Sequence, residues 1–128
     1  MTEAKPYTLQ FEYREGYLYA SVSGEKDSLE TSLLFWQEIF NEGEAKNYKK
    51  ILITENFKNE ISTMDMFILG EKLLEMASRN TSVAFVDKQL QQMEMNKFTE
   101  TVIYNRGGRG KAFSDMKEAE KWLLELDE

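Results

Sequence analysis

Two short, unbroken apolar runs, ILIT at 51–54 and SVAFV at 82–86, constrain this chain's fold more than any other feature. A strand with one wet face alternates apolar and polar residues, whereas a strand covered on both faces is apolar throughout. Each run is followed by a stripe of helical period, so both fit central strands of a parallel sheet joined by helical crossovers.

The remaining pattern builds outward from these two strands. YTLQFEY sets Tyr7, Leu9, Phe11 and Tyr13 on one face, and after a tight turn at Arg14, Glu15 and Gly16 the alternation resumes with Leu18, Ala20 and Val22. This predicts an antiparallel hairpin. Asp27, three residues before Glu30, forms a capping-box pattern, and Leu29, Leu33, Trp36 and Phe40 at helical spacing predict a first helix to about Asn41. Ser62 and Asp65 open a second helix with Met66, Leu69, Gly70, Leu73 and Ala77 on one face, and Met95, Phe98 and Val102 mark a third, ending near Tyr104. A short strand around 111–113 precedes a fourth helix, capped by Asp115 with Glu118, whose Ala119, Trp122, Leu123 and Leu126 face the core. The order β-β-α-β-α-β-α-β-α predicts an α/β domain: a mixed, mostly parallel five-stranded sheet with an N-terminal antiparallel hairpin and four helices. The 128 residues suit a single domain over 1–128.

Composition removes several classes of function. A net charge of −7 argues against general binding of nucleic acid, which draws its affinity from lysines and arginines on phosphates. The absence of cysteine removes disulfides and thiolate chemistry, and the absence of histidine removes the usual neutral-pH base and the commonest metal ligand. No EF-hand spacing, Walker signature or G-x-S-x-G elbow occurs, so no catalytic residue, metal or cofactor is expected. The opening MTEAKPYTLQ lacks the apolar stretch of a signal peptide, and no run approaches the roughly 18 to 20 apolar residues of a membrane span. A cytoplasmic protein without membrane insertion is the expectation.

SVAFVD, NKFTETVIYNRG and KAFSDMKEAEKWL together resemble the C-terminal half of the SpoIIAA-like branch of the STAS superfamily. There a strand ending in Asp precedes a helix ending in Asn-Arg-Gly, and a short strand ending in Phe leads to a helix with a Glu-Ala-x-x-Trp-Leu pattern. The resemblance implies a small, non-enzymatic α/β domain that binds proteins or small ligands. It also implies a contact region in NEISTMDMFILGEKL. Among anti-sigma-factor antagonists of that branch a serine at a helix start is phosphorylated by a partner kinase, within Asp-Ser-Ser/Thr-Gly; this chain has Ile61-Ser62-Thr63-Met64 at that place.

Three sets of residues are therefore candidates, each with a structural alternative. Ser62 and Thr63 mark a phosphorylation or partner-contact position, and Ser62 equally suits a helix N-cap. Met66, Phe67, Met95 and Phe98 suit either core filling or an apolar pocket, because ligands of open parallel sheets gather beyond the carboxyl ends of the strands. The related CRAL-TRIO lipid-carrier fold makes a small apolar ligand the rival to a protein partner. Arg106, Arg109 and Lys111, set among glycines, suit a weak anion site, but GGRGKA follows a helix and precedes a strand, the reverse of a Walker loop, and Gly107 suits a helix C-terminus. The hairpin leaves a sheet edge that a homodimer would cover, with Tyr13, Tyr17 and Tyr19 as candidate contacts.

Overall fold

The computed structural model describes residues 6–59, 61–76, 81–87 and 109–126. Its elements, in chain order, are β1 (Thr8–Arg14), β2 (Tyr17–Lys26), α1 (Leu29–Ala45), β3 (Lys50–Asn59), α2 (Thr63–Met76), β4 (Ser82–Asp87), β5 (Arg109–Phe113) and α3 (Met116–Glu125). The five strands form one sheet in the order β1-β2-β3-β4-β5, with β1 and β2 antiparallel and every other pair parallel. The apolar run 51–54 lies on the central strand, as its lack of alternation requires. The third helix expected from the sequence, around Met95, Phe98 and Val102, lies outside the described residues, as does Ala77.

The hairpin closes through Glu15 and Gly16. Gly16 takes φ +90°, and a Cβ there would come within 2.9 Å of Leu124 Cδ2, so glycine serves both the turn and the approach of α3. Alternation then sorts the side chains between two layers. On one face Leu18, Ala20, Val22, Ile51, Ile53, Phe57, Val83, Phe85 and Ala112 meet Phe35, Trp36, Ile39 and Phe40 of α1 and Met66, Leu69 and Leu73 of α2. On the other, Tyr17, Leu52, Ala84, Val86 and Phe113 meet Ala119 and Leu123 of α3. Trp36 anchors the larger layer, stacking on Phe40 at 5.5 Å and meeting Phe85 edge-on at 5.5 Å; burying each such ring stabilises the fold by about 1.5–3 kcal/mol.

Both ends of α1 depart from the sequence expectation. Asp27 does not cap α1: it is buried and accepts hydrogen bonds from the Ser28 N–H at 2.8 Å and the Ser32 hydroxyl at 2.7 Å. The cap is Ser28, whose hydroxyl accepts from the Thr31 N–H at 3.1 Å. The helix also runs past Asn41, because Gly43 faces the sheet, where a Cβ would sit 3.4 Å from Ile51 Cδ1. It stops before Asn47, which takes the left-handed φ of 63°, while the Lys46 N–H donates to the Glu42 carbonyl at 3.0 Å and the Asn47 N–H to the Glu44 carbonyl at 3.2 Å.

Candidate functional site

The N-terminus of α2 follows directly from the carboxyl end of the central strand. Ile61 is buried and fixes the entry, and Ser62 then caps the helix: its hydroxyl accepts the Asp65 N–H at 3.1 Å and its carbonyl accepts the Met66 N–H at 2.9 Å. The Asp65 carboxylate in the first turn complements the helix dipole. Thr63 is the first residue of α2, and its side chain is outside the described residues. Ser62 is solvent-exposed, so its cap bond and a contact role are compatible.

Successive residues of a helix point about 100° apart, and this separates the side chains that follow the cap. Met66 turns inward and belongs to the core with Leu69 and Leu73. Met64, 69% exposed, and Phe67, 39% exposed, turn outward and stand one helical turn apart. Met66 is thus buried while its neighbour Phe67 keeps part of its ring exposed. Met95 and Phe98, the other members of that set, lie outside the described residues.

Arg109 and Lys111 share one face of β5, opposite the starts of β4 and its neighbours, with Lys111 Nζ 5.6 Å from the Phe113 ring centroid. Arg106 and Gly107 are outside the described residues. Arg109, opposite Ser82, stands at the amino-terminal edge of the parallel strands, the end of the sheet away from Ser62, and Lys111, opposite Ala84, lies midway along the strand.

A second cluster at that amino-terminal edge was not singled out in the sequence. Arg14 donates to the Tyr17 hydroxyl at 2.8 Å and to Glu12 at 3.3 Å, approaches Glu120 at 4.0 Å and lies 4.6 Å from the Tyr19 ring centroid. The Tyr17 hydroxyl in turn donates to Glu120, tying the hairpin to α3. Burial, and then that bond to Glu120, raise the Tyr17 phenol above its ordinary value against the opposing pull of Arg14. Tyr17, expected at the sheet edge, is instead buried beneath α3: it faces across the sheet from Leu18, and β1 rather than β2 forms the edge. Only the spacing of Arg14 among Tyr13, Tyr17 and Tyr19 hinted at this cluster, and its members satisfy one another structurally.

On the α1 side, the Tyr7 hydroxyl donates to Glu38 and the Tyr13 hydroxyl to Glu42, fastening β1 to the helix. Burial first, and the Glu38 bond second, push the Tyr7 phenol well above its usual range. Among the described residues no group of three or more His, Cys, Asp and Glu is placed to hold a metal, and no helix is long and apolar enough to cross a membrane.

No protein-family model matches the sequence, and no curated protein matches it. Solved structures do. An uncharacterised protein of the DUF3478 family with a SpoIIAA-like fold, from Shewanella loihica PV-4, aligns over 96% of this chain and 98% of its own at 17% identity, with a TM-score of 0.54. An anti-sigma factor antagonist from Mycobacterium paratuberculosis aligns over 96% of this chain and 98% of its own at 13% identity, with a TM-score of 0.61. At these identities the likeness speaks to architecture, and it agrees with the strand order and the antiparallel start found here: the chain has a SpoIIAA-like fold.

Proposed function

We propose that the protein is a non-enzymatic binding module that docks a protein partner through the loop after β3 and the N-terminus of α2. The observation that carries this reading is the outward pair Met64 and Phe67 beside the exposed cap Ser62. Exposed large apolar side chains one turn apart offer burial to a partner, while the cap and the buried Ile61 hold them in a fixed frame. One of the solved structures of like fold is named as an anti-sigma factor antagonist, which is consistent with a docking role. Phosphorylation of Ser62 would act on the same surface. It would add about two negative charges where the helix N-terminus tolerates them and where an acidic partner surface would be repelled.

The alternative, a carrier of a small apolar ligand, draws on Met66, Phe67, Met95 and Phe98. Met66 is committed to the core, so the described residues favour docking. Native mass spectrometry of the protein purified from its own cell extract separates the two readings. Docking predicts a complex with a second protein that is lost in Met64→Glu; a reproducible co-purifying apolar small molecule with no second protein would overturn docking in favour of the carrier.

A further inference from the structure

The sheet ends in two edge strands, β1 and β5, and they are built differently. An edge strand presents a row of unpaired backbone N–H and C=O groups that templates another strand, and proteins blunt such edges with short strands, lysines, prolines or bulges. β5 is five residues long and carries Arg109, Gly110 and Lys111. β1 is seven residues long, TLQFEYR, with no lysine, proline or glycine, and it pairs one to one with β2 from Thr8 to Arg14 without a bulge. Among the described residues no strand pairs with its outer edge.

We propose that the outer edge of β1 pairs with β1 of a second copy of this chain, antiparallel about a two-fold axis at Phe11, joining the two sheets into one. The strand's own length sets the register: only an axis at its central residue pairs all of Thr8–Arg14. That register places Leu9 opposite the second copy's Tyr13, Gln10 opposite its Glu12, Thr8 opposite its Arg14 and Phe11 opposite itself. A two-fold axis normal to the sheet requires opposed residues to share a face, and these do. Leu9, Phe11 and Tyr13 lie on the α1 face, where Tyr13 bonds Glu42, and Thr8, Gln10, Glu12 and Arg14 lie on the other. No like charges meet, whereas an axis at Glu12 would set two carboxylates against each other. The Gln10 amide donates to the Glu12 carboxylate twice by symmetry, and the half-buried Leu9 and Phe11 gain cover on the opposite face. Glu12 is already bonded to Arg14 of its own chain at 3.3 Å, so each copy brings a locally neutralised end to the junction.

The absence of cysteine makes introduced thiols the sole reporters. Gln10→Cys and Glu12→Cys, both at exposed positions, are mixed in equal amounts and oxidised. Directly opposed residues have Cα atoms about 4.5–5.5 Å apart, within disulfide reach, while two copies of either position alone stand on a diagonal of about 7–8 Å, beyond it. The native chain should scatter light at twice its 15.0 kDa at about 100 µM, a concentration at which mass action favours association. The mixed variants should give about fivefold more covalent dimer than either alone. Gln10→Glu, which opposes carboxylates at two symmetric positions, should weaken the dimer about tenfold without oxidation. A monomer at that concentration, equal cross-linking in mixed and single samples, or a dimer indifferent to Gln10→Glu would each overturn the proposal.

Discussion

Replacing Ser62 separates what the residue does for the fold from what it does for a partner. Its hydroxyl accepts one backbone N–H, that of Asp65, at 3.1 Å on an exposed helix end. Loss of such a cap costs about 1 kcal/mol, within a range of roughly 0.5–2. The unfolding entropy is about 2.1 cal/mol/K per residue, which over this chain length converts that cost to a fall in melting temperature of about 4 °C. Ser62→Ala should show that fall in thermal and urea unfolding followed by circular dichroism, with an unchanged urea slope. Ser62→Asp restores an acceptor at the cap and adds charge at the favourable end of the helix dipole, so it should match the native stability while weakening the docked complex. An alanine variant as stable as the native protein would refute the cap. Equal loss of stability in the aspartate variant would refute the claim that the site tolerates negative charge.

Two further substitutions test the frame behind that site. A Cβ on Gly24 would lie 2.7 Å from Phe57 Cε1 and 2.9 Å from the Pro6 carbonyl oxygen, and the Phe57 ring is held by stacking on Phe35 at 5.7 Å, so Gly24→Ala should destabilise by about 1–3 kcal/mol in urea titrations. The phenols of Tyr7 and Tyr17 keep their protons above the ordinary value near 10 when folded. Their contribution is therefore complete below about pH 10 and is lost as the pH rises from there through the folded values, because the unfolded chain ionises first. Tyr7→Phe should cost about 1 kcal/mol at pH 8 and flatten the alkaline decline; a decline identical to that of the native protein would refute the assignment.

Much of this architecture is legible in periodicity. The unbroken apolar runs placed β3 and β4 inside the sheet, because a strand covered on both faces is apolar throughout, and the alternation of Tyr7, Leu9, Phe11 and Tyr13 set those residues on one face of the first strand, which the structure turns toward α1. The N-caps at Ser62 and Asp115 were legible for the same local reason: a short acceptor three residues ahead of the amide it satisfies. Asp27 misled because its carboxylate, though correctly spaced, is drawn inward by Ser32, leaving the cap to the next residue. The first helix was expected to end near Asn41, yet it continues through Gly43, which marks the close approach of α1 to Ile51. The extent of β3 past Thr54 was hidden by polar letters at Glu55 and Asn56, although Phe57 and the buried Glu55 continue the same face. At the site, the serine and its helix were readable. Periodicity already set Met66 on one face with Leu69 and Leu73, whereas the exposure of Met64 and Phe67 depends on what covers the rest of the helix, which composition does not carry.

The docking claim is tested most directly by a photo-crosslinking side chain placed at Met64, with a second at the exposed Glu118 of α3 as reference, in the protein's own cells. The account predicts one discrete protein adduct at position 64, absent at position 118 and diminished by Ser62→Asp. Adducts equal at both positions, or none at position 64, would contradict it.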